Sequence, residues 1–470
     1  MFSLHSIKTR SSKRHSYTLL LVTILFCCFS NPIEADSANT LSTALSFDDA
    51  VNLAQKNDPW LIANQHSEDA LQSMSIAAGS YSDPKMSLGF ANVPTDTFNF
   101  NQEAMTQIKV GITQVFPRGN SLAIKQQQLQ LQSSQFPFLR QDRQAKIKVT
   151  VGKLWLSAYK AQESISLIES NRALFEQLSD IAQSRYSSGI GKTRQQDIVR
   201  AQLELTRLED RLSILNQQLV SSKQQLSQWI SQFYLNQGQQ NFELTSDIVI
   251  HKTLPDINLV YTQMFSADEQ SQQQLLLNTL SSHPAVLALA QKIKASSEGI
   301  DLAKQKYKPQ WAVNASYGFR QETDLDIARA DFFSVGVSFD LPFFTDNRQD
   351  QDVKSAVSKT ESIKTEKWLL LRKLYTEFEA SKAQLQRTNK RQKLYTTQLL
   401  PQIQEQAEAY LNAYTNDDGD FSDVVRSRIA VLNAEIDALG INVNKQQSTV
   451  QLNYFFESSN IPDNHSGEIQ

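Results

Sequence analysis

The sequence predicts a mainly α-helical protein made of two tandem helix–strand–strand–helix units, with four short strands suited to a shared membrane β-barrel. Three observations predict this. The 470 residues include only 14 Gly and 12 Pro, roughly half of average usage, so turns are scarce and helices run long. Pro59, Pro84, Val110-Gly111 and Pro117 recur as Pro284, Pro309, Val335-Gly336 and Pro342, each pair 225 residues apart, and Asp197-Ile198-Val199-Arg200 recurs as Asp423-Val424-Val425-Arg426 at an offset of 226. Self-similarity at one offset is the mark of an internal duplication. Four stretches of about ten residues also alternate apolar and small or polar side chains, a length and period that suit a strand crossing a bilayer.

Residues 1–38 read as a cleaved secretory signal peptide. Lys8, Arg10, Lys13 and Arg14 form a basic start, Tyr17 to Phe29 an apolar stretch too short for an ordinary membrane helix, and Ala35, Ser37 and Ala38 a small-residue exit. Both cysteines, Cys27 and Cys28, fall in the apolar stretch, and Phe26 stands where a lipidated cysteine needs a small residue before it. No lipid anchor is therefore expected, and the mature chain is expected to hold no disulfide, thiolate metal site or cysteine nucleophile. Cleavage removes four basic and two acidic residues, leaving 42 cations against 47 anions, a net of −5. That balance gives no footprint for nucleic acid.

The first unit is expected over 39–240, a linker over 241–272 that packs on the outside, the second unit over 273–459 and a loose polar tail over 460–470. In the first unit, Asn120 to Ser188 reads as one helix, interrupted only by Pro137, with Val151, Leu154, Tyr159, Ile165, Ile168 and Leu174 on an apolar stripe. At ~1.5 Å per residue it reaches about 100 Å. A turn at about 187–192 leads into a returning helix, Thr193 to Phe233. The second unit repeats the plan with Asn347 to Tyr414, a turn at about 415–420, and Phe421 to Phe456. The shorter helix Phe47 to Gly79, stacked end to end on the returning helix, covers about the length of the long one beside it. Each unit is thus expected to form one wall of a long helical tube.

The strands are expected at about 85–93, 107–116, 310–320 and 333–341. Met86, Leu88 and Phe90 share one face, as do Ile108, Val110 and Ile112, Trp311, Val313, Ala315, Tyr317 and Phe319, and Phe333, Val335, Val337 and Phe339. The alternation alone fits a half-buried soluble sheet equally well. The secretory signal and the aromatics at strand ends (Trp311, Phe319, Phe332 and Phe333) favour the membrane. Four strands cannot close a barrel, and an open edge in lipid leaves backbone groups unpaired. Several chains must then share one barrel, and three would give about twelve strands.

With these features the chain resembles the outer-membrane efflux channel family typified by TolC, over essentially the whole mature length. Ser82-Asp83-Pro84-Lys85-Met86, Leu88 to Pro94, Met105-Thr106, Val110 to Gly119, Arg185 to Gly189 and Gln195 to Gln202 further resemble the subfamily paired with heavy-metal pumps of the resistance-nodulation-division type. The resemblance implies a homotrimer with a twelve-stranded barrel in outer-membrane lipid and a helical tunnel through the periplasm. It implies no catalysis and no cofactor. An inner-membrane pump supplies the energy, and a periplasmic adaptor (membrane fusion) protein docks on the hairpin tips, here Ser188, Gly189, Gly191 and Gly419. It also implies a periplasmic gate in which Tyr414 on one hairpin and Asp197 on the other hold the tunnel shut, with Asp423 lining the constriction. Arg426 departs from the pattern, standing where some relatives carry a second acidic residue. Heavy-metal cations are the implied cargo, with drugs or secreted polypeptides as the alternatives. A periplasmic coiled-coil adaptor is a more distant reading that the two hairpins and four strands argue against.

Asp417, Asp418, Asp420 and Asp423 fall within seven residues at the second tip. Such carboxylates favour cations when they ring an aperture, and equally make a solvated turn with helix-capping residues. Gly189, Gly191 and Gly419 are expected to allow positive φ in the turns. His66, His251, His283 and His465 stand at no metal-ligand spacing, and no nucleophile–base motif occurs.

Overall fold

The computed structural model describes residues 44–188, 194–236, 239–243, 248–262, 269–323, 327–416 and 418–458. The expected signal peptide and tail, Gly189, Gly191 and Asp417 lie outside the described residues, as does part of the expected linker.

The first half starts with α1 (Phe47–Asn57) and α2 (Pro59–Ala78), separated by Asp58. Ser46 Oγ accepts the Asp49 amide at 3.1 Å, and Asp48 and Asp49 place negative charge on the positive end of α1. Asp58 caps α2 in turn, accepting the Trp60 amide at 3.2 Å with Pro59 in the first turn. Then come β1 (Lys85–Ala91), β2 (Gln107–Val115), α3 (Ser121–Ser133), α4 (Phe136–Ser188) and α5 (Gln195–Ile230). A small hairpin, β3 (Gln232–Asn236) with β4 (Gln239–Glu243), follows. The second half repeats the order as α6 (Glu269–Ser281), α7 (Pro284–Lys304), β5 (Trp311–Phe319), β6 (Phe332–Phe339), α8 (Gln349–Leu394), α9 (Leu400–Thr415) and α10 (Phe421–Phe455).

The long helices are broken where prolines dictate. The expected helix from Asn120 is interrupted at Ser134-Gln135, and Pro137 sits in the first turn of α4, where its missing N–H is not needed. A π-helical turn at Tyr395–Leu399 joins α8 to α9 just before Pro401. It widens the helix where the proline ring would strike a preceding carbonyl. The expected helix to Phe233 ends at Ile230 instead and gives way to the β3–β4 hairpin.

Helices α2, α3, α7 and α8 lie side by side at one level, and α5, α4, α10 and α9 at the other. Segments α3–α4 and α8–α9 therefore run through both levels, with a shorter helix beside each at each level. The main core lies where the levels meet. Trp155, 1% exposed, meets the Phe47 ring edge-on at 5.9 Å, stacks on Tyr159 at 5.6 Å, and donates its indole N–H to the Leu45 carbonyl at 3.0 Å. Leu226, Ile230, Ile250 and Val450 complete this cluster. Segment 248–260 is strapped across it. Leu45 and Ile250 form a parallel bridge, and Asn453 on α10 accepts the Val260 amide at 3.0 Å. A second cluster joins Leu276, Leu280 and Val286 of α6–α7 to Phe378 of α8 and Phe455 of α10.

Candidate functional site

The first region with functional character is the sheet. Its order is β1-β2-β5-β6, antiparallel throughout, so the two hairpins join through β2 and β5. The register aligns Met86, Ile112, Ala315 and Val335 in one row across all four strands, with Leu88, Val110, Tyr317 and Phe333 in the next. The opposite face carries Ser87, Gly111, Ser316 and Ser334 in one row, Lys85, Thr113, Asn314 and Gly336 in another, and Gly89, Lys109, Gly318 and Phe332 in a third. One face is thus apolar, and the other is mostly small and polar, with Lys85 and Lys109 on it and Phe332 at the end of β6. The apolar face is bare, with Met86, Leu88, Phe333 and Val335 all more than 60% exposed. Such a contiguous surface marks an interaction or membrane site. Among the described residues no strand pairs with the outer edges of β1 and β6.

The loops beyond the sheet are tied to each other. Arg329 donates to the carbonyls of Glu103 at 2.9 Å and Asn101 at 3.2 Å, and Arg320 to that of Ala104 at 3.1 Å. Fully buried Thr106 closes its own loop onto the Asn92 carbonyl at 2.7 Å. At the other end of the strands, Arg118 pairs with Asp340 and donates to the Lys308 carbonyl at 2.9 Å.

The second region is the far end of the helices. Here α4, α5, α9 and α10 share one apolar cluster, which includes Leu178, Ala182, Ile198, Ala201, Tyr414, Phe421, Val424 and Val425. The structure therefore brings the turn that carries Asp197 together with Tyr414 and the start of α10. It does not join Tyr414 to Asp197 within the chain. The buried Asp197 carboxylate accepts the Arg194 amide at 2.8 Å, closing the first turn of α5. The Tyr414 hydroxyl is buried with no hydrogen-bond partner among the described residues. Its ring packs on Phe421 at 5.5 Å.

The Arg185 guanidinium lies 4.6 Å over the Tyr414 ring and within 3.5 Å of its carbonyl. Arg185 in this role escaped sequence reasoning, although a cation in the last turn of a long helix is a readable signal. Asp423, one-third exposed, pairs with Arg426 at 3.0 Å. Asp420 stands at the N-cap of α10, where its carbonyl, and no side-chain oxygen, receives the Asp423 amide at 3.0 Å. The Asp418 amide closes onto the Ala413 carbonyl at 3.0 Å, and Ser188 Oγ donates back to Ser184 at 2.9 Å. Gly419 has no positive φ, contrary to expectation. A Cβ there would lie 2.7 Å from the Tyr414 nitrogen, so glycine is required by close packing of backbone on backbone.

No protein-family model and no curated protein matches the chain. Solved structures do. The outer-membrane channel OprN superposes with a TM-score of 0.69 at 12% identity, over 88% of this chain and 90% of that one. CusC, described for the conformational changes that accompany folding and transmembrane channel formation, gives 0.67 at 12%, over 88% and 92%. The CmeC outer membrane channel of Campylobacter jejuni gives 0.66 at 12%, over 87% and 85%. The chain has the fold of these outer-membrane channels. At this identity the likeness is one of fold.

Proposed function

We propose that the protein is the outer-membrane exit duct of a tripartite efflux pump. Three copies would join their four-stranded sheets into a twelve-stranded barrel in outer-membrane lipid, with the helices forming a tunnel through the periplasm. The observation that carries this reading is the sheet with a bare apolar face, an opposite face that is mostly small and polar, and two edges that no strand pairs among the described residues. In hydrocarbon such edges need strands from other copies. The small polar face then lines a wet passage. Substrate moves passively, while an adaptor on the hairpin tips and an inner-membrane pump of the resistance-nodulation-division type select and drive it. Heavy-metal cations are the favoured cargo, supported by the motif resemblance and by the run of Asp417, Asp418, Asp420 and Asp423 in the sequence of one tip. Tyr414 and Asp197 are the proposed gate.

The test is fractionation followed by planar-bilayer recording. Recovery from the outer membrane as a trimer that conducts ions is expected. Recovery as a soluble periplasmic monomer would overturn the reading. For the cargo, a deletion strain is expected to be sensitive to at least one of copper, silver, zinc, cobalt or cadmium salts. Sensitivity to none would remove the metal assignment and leave the duct.

A further inference from the structure

The duplication places two different capping residues at one structural position. Asp58 precedes Pro59 at the start of α2, and His283 precedes Pro284 at the start of α7, 225 residues on. Each is the N-cap of its helix, and each side chain accepts the amide two residues ahead. Asp58 does so while holding Arg143 at 2.7 Å, and that guanidinium is sandwiched between the Trp60 and Trp229 rings at 5.6 and 5.2 Å. This cap is anionic and ion-paired.

His283 is fully buried. Its Nε2 lies 3.1 Å from the Tyr454 carbonyl of α10, and its Nδ1 lies 3.3 Å from the Ala285 amide. A carbonyl can only accept and an amide N–H can only donate, so the ring must be neutral with its proton on Nε2. A second proton would go on Nδ1 and face the Ala285 N–H donor to donor, breaking the cap. The ring also packs edge-on against Tyr454 at 4.8 Å.

We propose that His283 is an acid-sensitive latch between the start of the second repeat and the end of α10, with no counterpart in the first repeat. On protonation the corner between α6 and α7 loosens from α10, while the equivalent corner at Asp58 stays closed.

The groups facing this site are few. From α4 come Asp142 and Lys146, paired at 2.6 Å; from α10 comes Tyr454, whose hydroxyl donates to Asp142 at 2.9 Å; and from α8 Glu377 acts on that phenol. The described residues of α6 and the first turns of α7 present none. Burial pushes the His283 imidazole below its ordinary range and outweighs the Asp142 carboxylate and the Tyr454 carbonyl, which act the other way; Lys146 adds to the lowering. The unfolded chain then takes up this proton first. Stability from the latch is complete above the unfolded pKa of about 6.5 and is lost as pH falls toward and through the lowered folded value.

The test is native-state hydrogen exchange of the full chain at pH 7.5 and pH 5, corrected for intrinsic rates. In the wild type, Ala285, Val286 and Leu287 are expected to lose roughly five- to tenfold in protection at pH 5, the scale of a lost N-cap, while Trp60 and Leu61 lose none. His283→Asn keeps an acceptor that does not titrate and is expected to abolish the difference. Equal loss at both corners, or acid loss retained in His283→Asn, would overturn the proposal. If that variant fails to fold, NMR titration of the wild-type histidines decides. A His283 pKa at or above about 6.5 would reject the latch.

Discussion

Val335 is the position where the membrane reading can be tested most sharply. It is the fourth of eight residues in β6 and lies in the row Met86–Ile112–Ala315–Val335, 63% exposed on the apolar face. Its neighbour Ser334 lies in the row Ser87–Gly111–Ser316–Ser334 on the opposite face. Strands of seven to nine residues run about 23–30 Å at ~3.3 Å per residue, which at a barrel tilt of about 40° is about 18–23 Å of depth, most of a membrane barrel's apolar band. The middle of β6 is thus near mid-depth. An arginine facing lipid there costs about 2–4 kcal/mol per chain. Across the three copies of the proposed trimer the penalty is about 6–12 kcal/mol, comparable to the whole stability of many folded proteins. Val335→Arg is therefore expected to remove most of the protein from the outer-membrane fraction, whereas Ser334→Arg, facing a wet lumen, is expected to leave its level within about twofold. Both variants would be followed by quantitative fractionation and by urea unfolding in lipid vesicles. A tolerated Val335→Arg beside a disruptive Ser334→Arg would refute the assignment of the faces.

Other substitutions probe other parts. Trp155→Ala removes a buried ring contacting Phe47 and Tyr159 and leaves the Leu45 carbonyl with the His251 amide as its remaining donor; it is expected to cost about 3–5 kcal/mol in urea unfolding. Arg143→Ala leaves the Asp58 carboxylate, only 6% exposed, without its cation, and a loss of about 1–3 kcal/mol is expected by the same measurement. Gly419→Ala drives a methyl into the backbone at Ala413 and Tyr414 and is expected to raise exchange at the α9–α10 turn while leaving the Trp155 cluster protected. Tyr414→Phe combined with Asp197→Ala is expected to raise single-channel conductance. Unchanged conductance would reject that pair as the gate.

The sequence made the repeated plan legible because duplication leaves matched prolines and strand pairs, and because alternation of apolar and small residues survives even where no core stands behind it. The helix breaks were less legible. Pro137 and Pro401 announce an interruption, but whether a helix stops and restarts, as at Ser134-Gln135, or widens into a π turn, as at Tyr395–Leu399, depends on packing with neighbours. The β3–β4 hairpin follows a helical stripe with no Gly or Pro between them to mark the change. At the hairpin tips, a pairing of Asp197 with Tyr414 was an implication of the family resemblance, and within the chain the two side chains are not joined. The stacking of Arg185 on Tyr414 was not legible, since it joins residues 229 positions apart. The caps Asp58 and His283 are readable as residues before a proline at matched positions, but their partners Arg143 and Tyr454 lie 85 and 171 positions away and are set by the packing of the helices.

The two bare edges of the sheet also bear on inheritance. If each barrel needs three copies, a subunit whose β6 edge is spoiled still offers a sound β1 edge and is drawn into assembly with normal ones. With half the subunits defective and random mixing, only about one trimer in eight is free of them. Edge-strand lesions are therefore expected to behave as dominant, whereas lesions that destroy folding before the sheet forms remove the subunit from competition and behave as recessive.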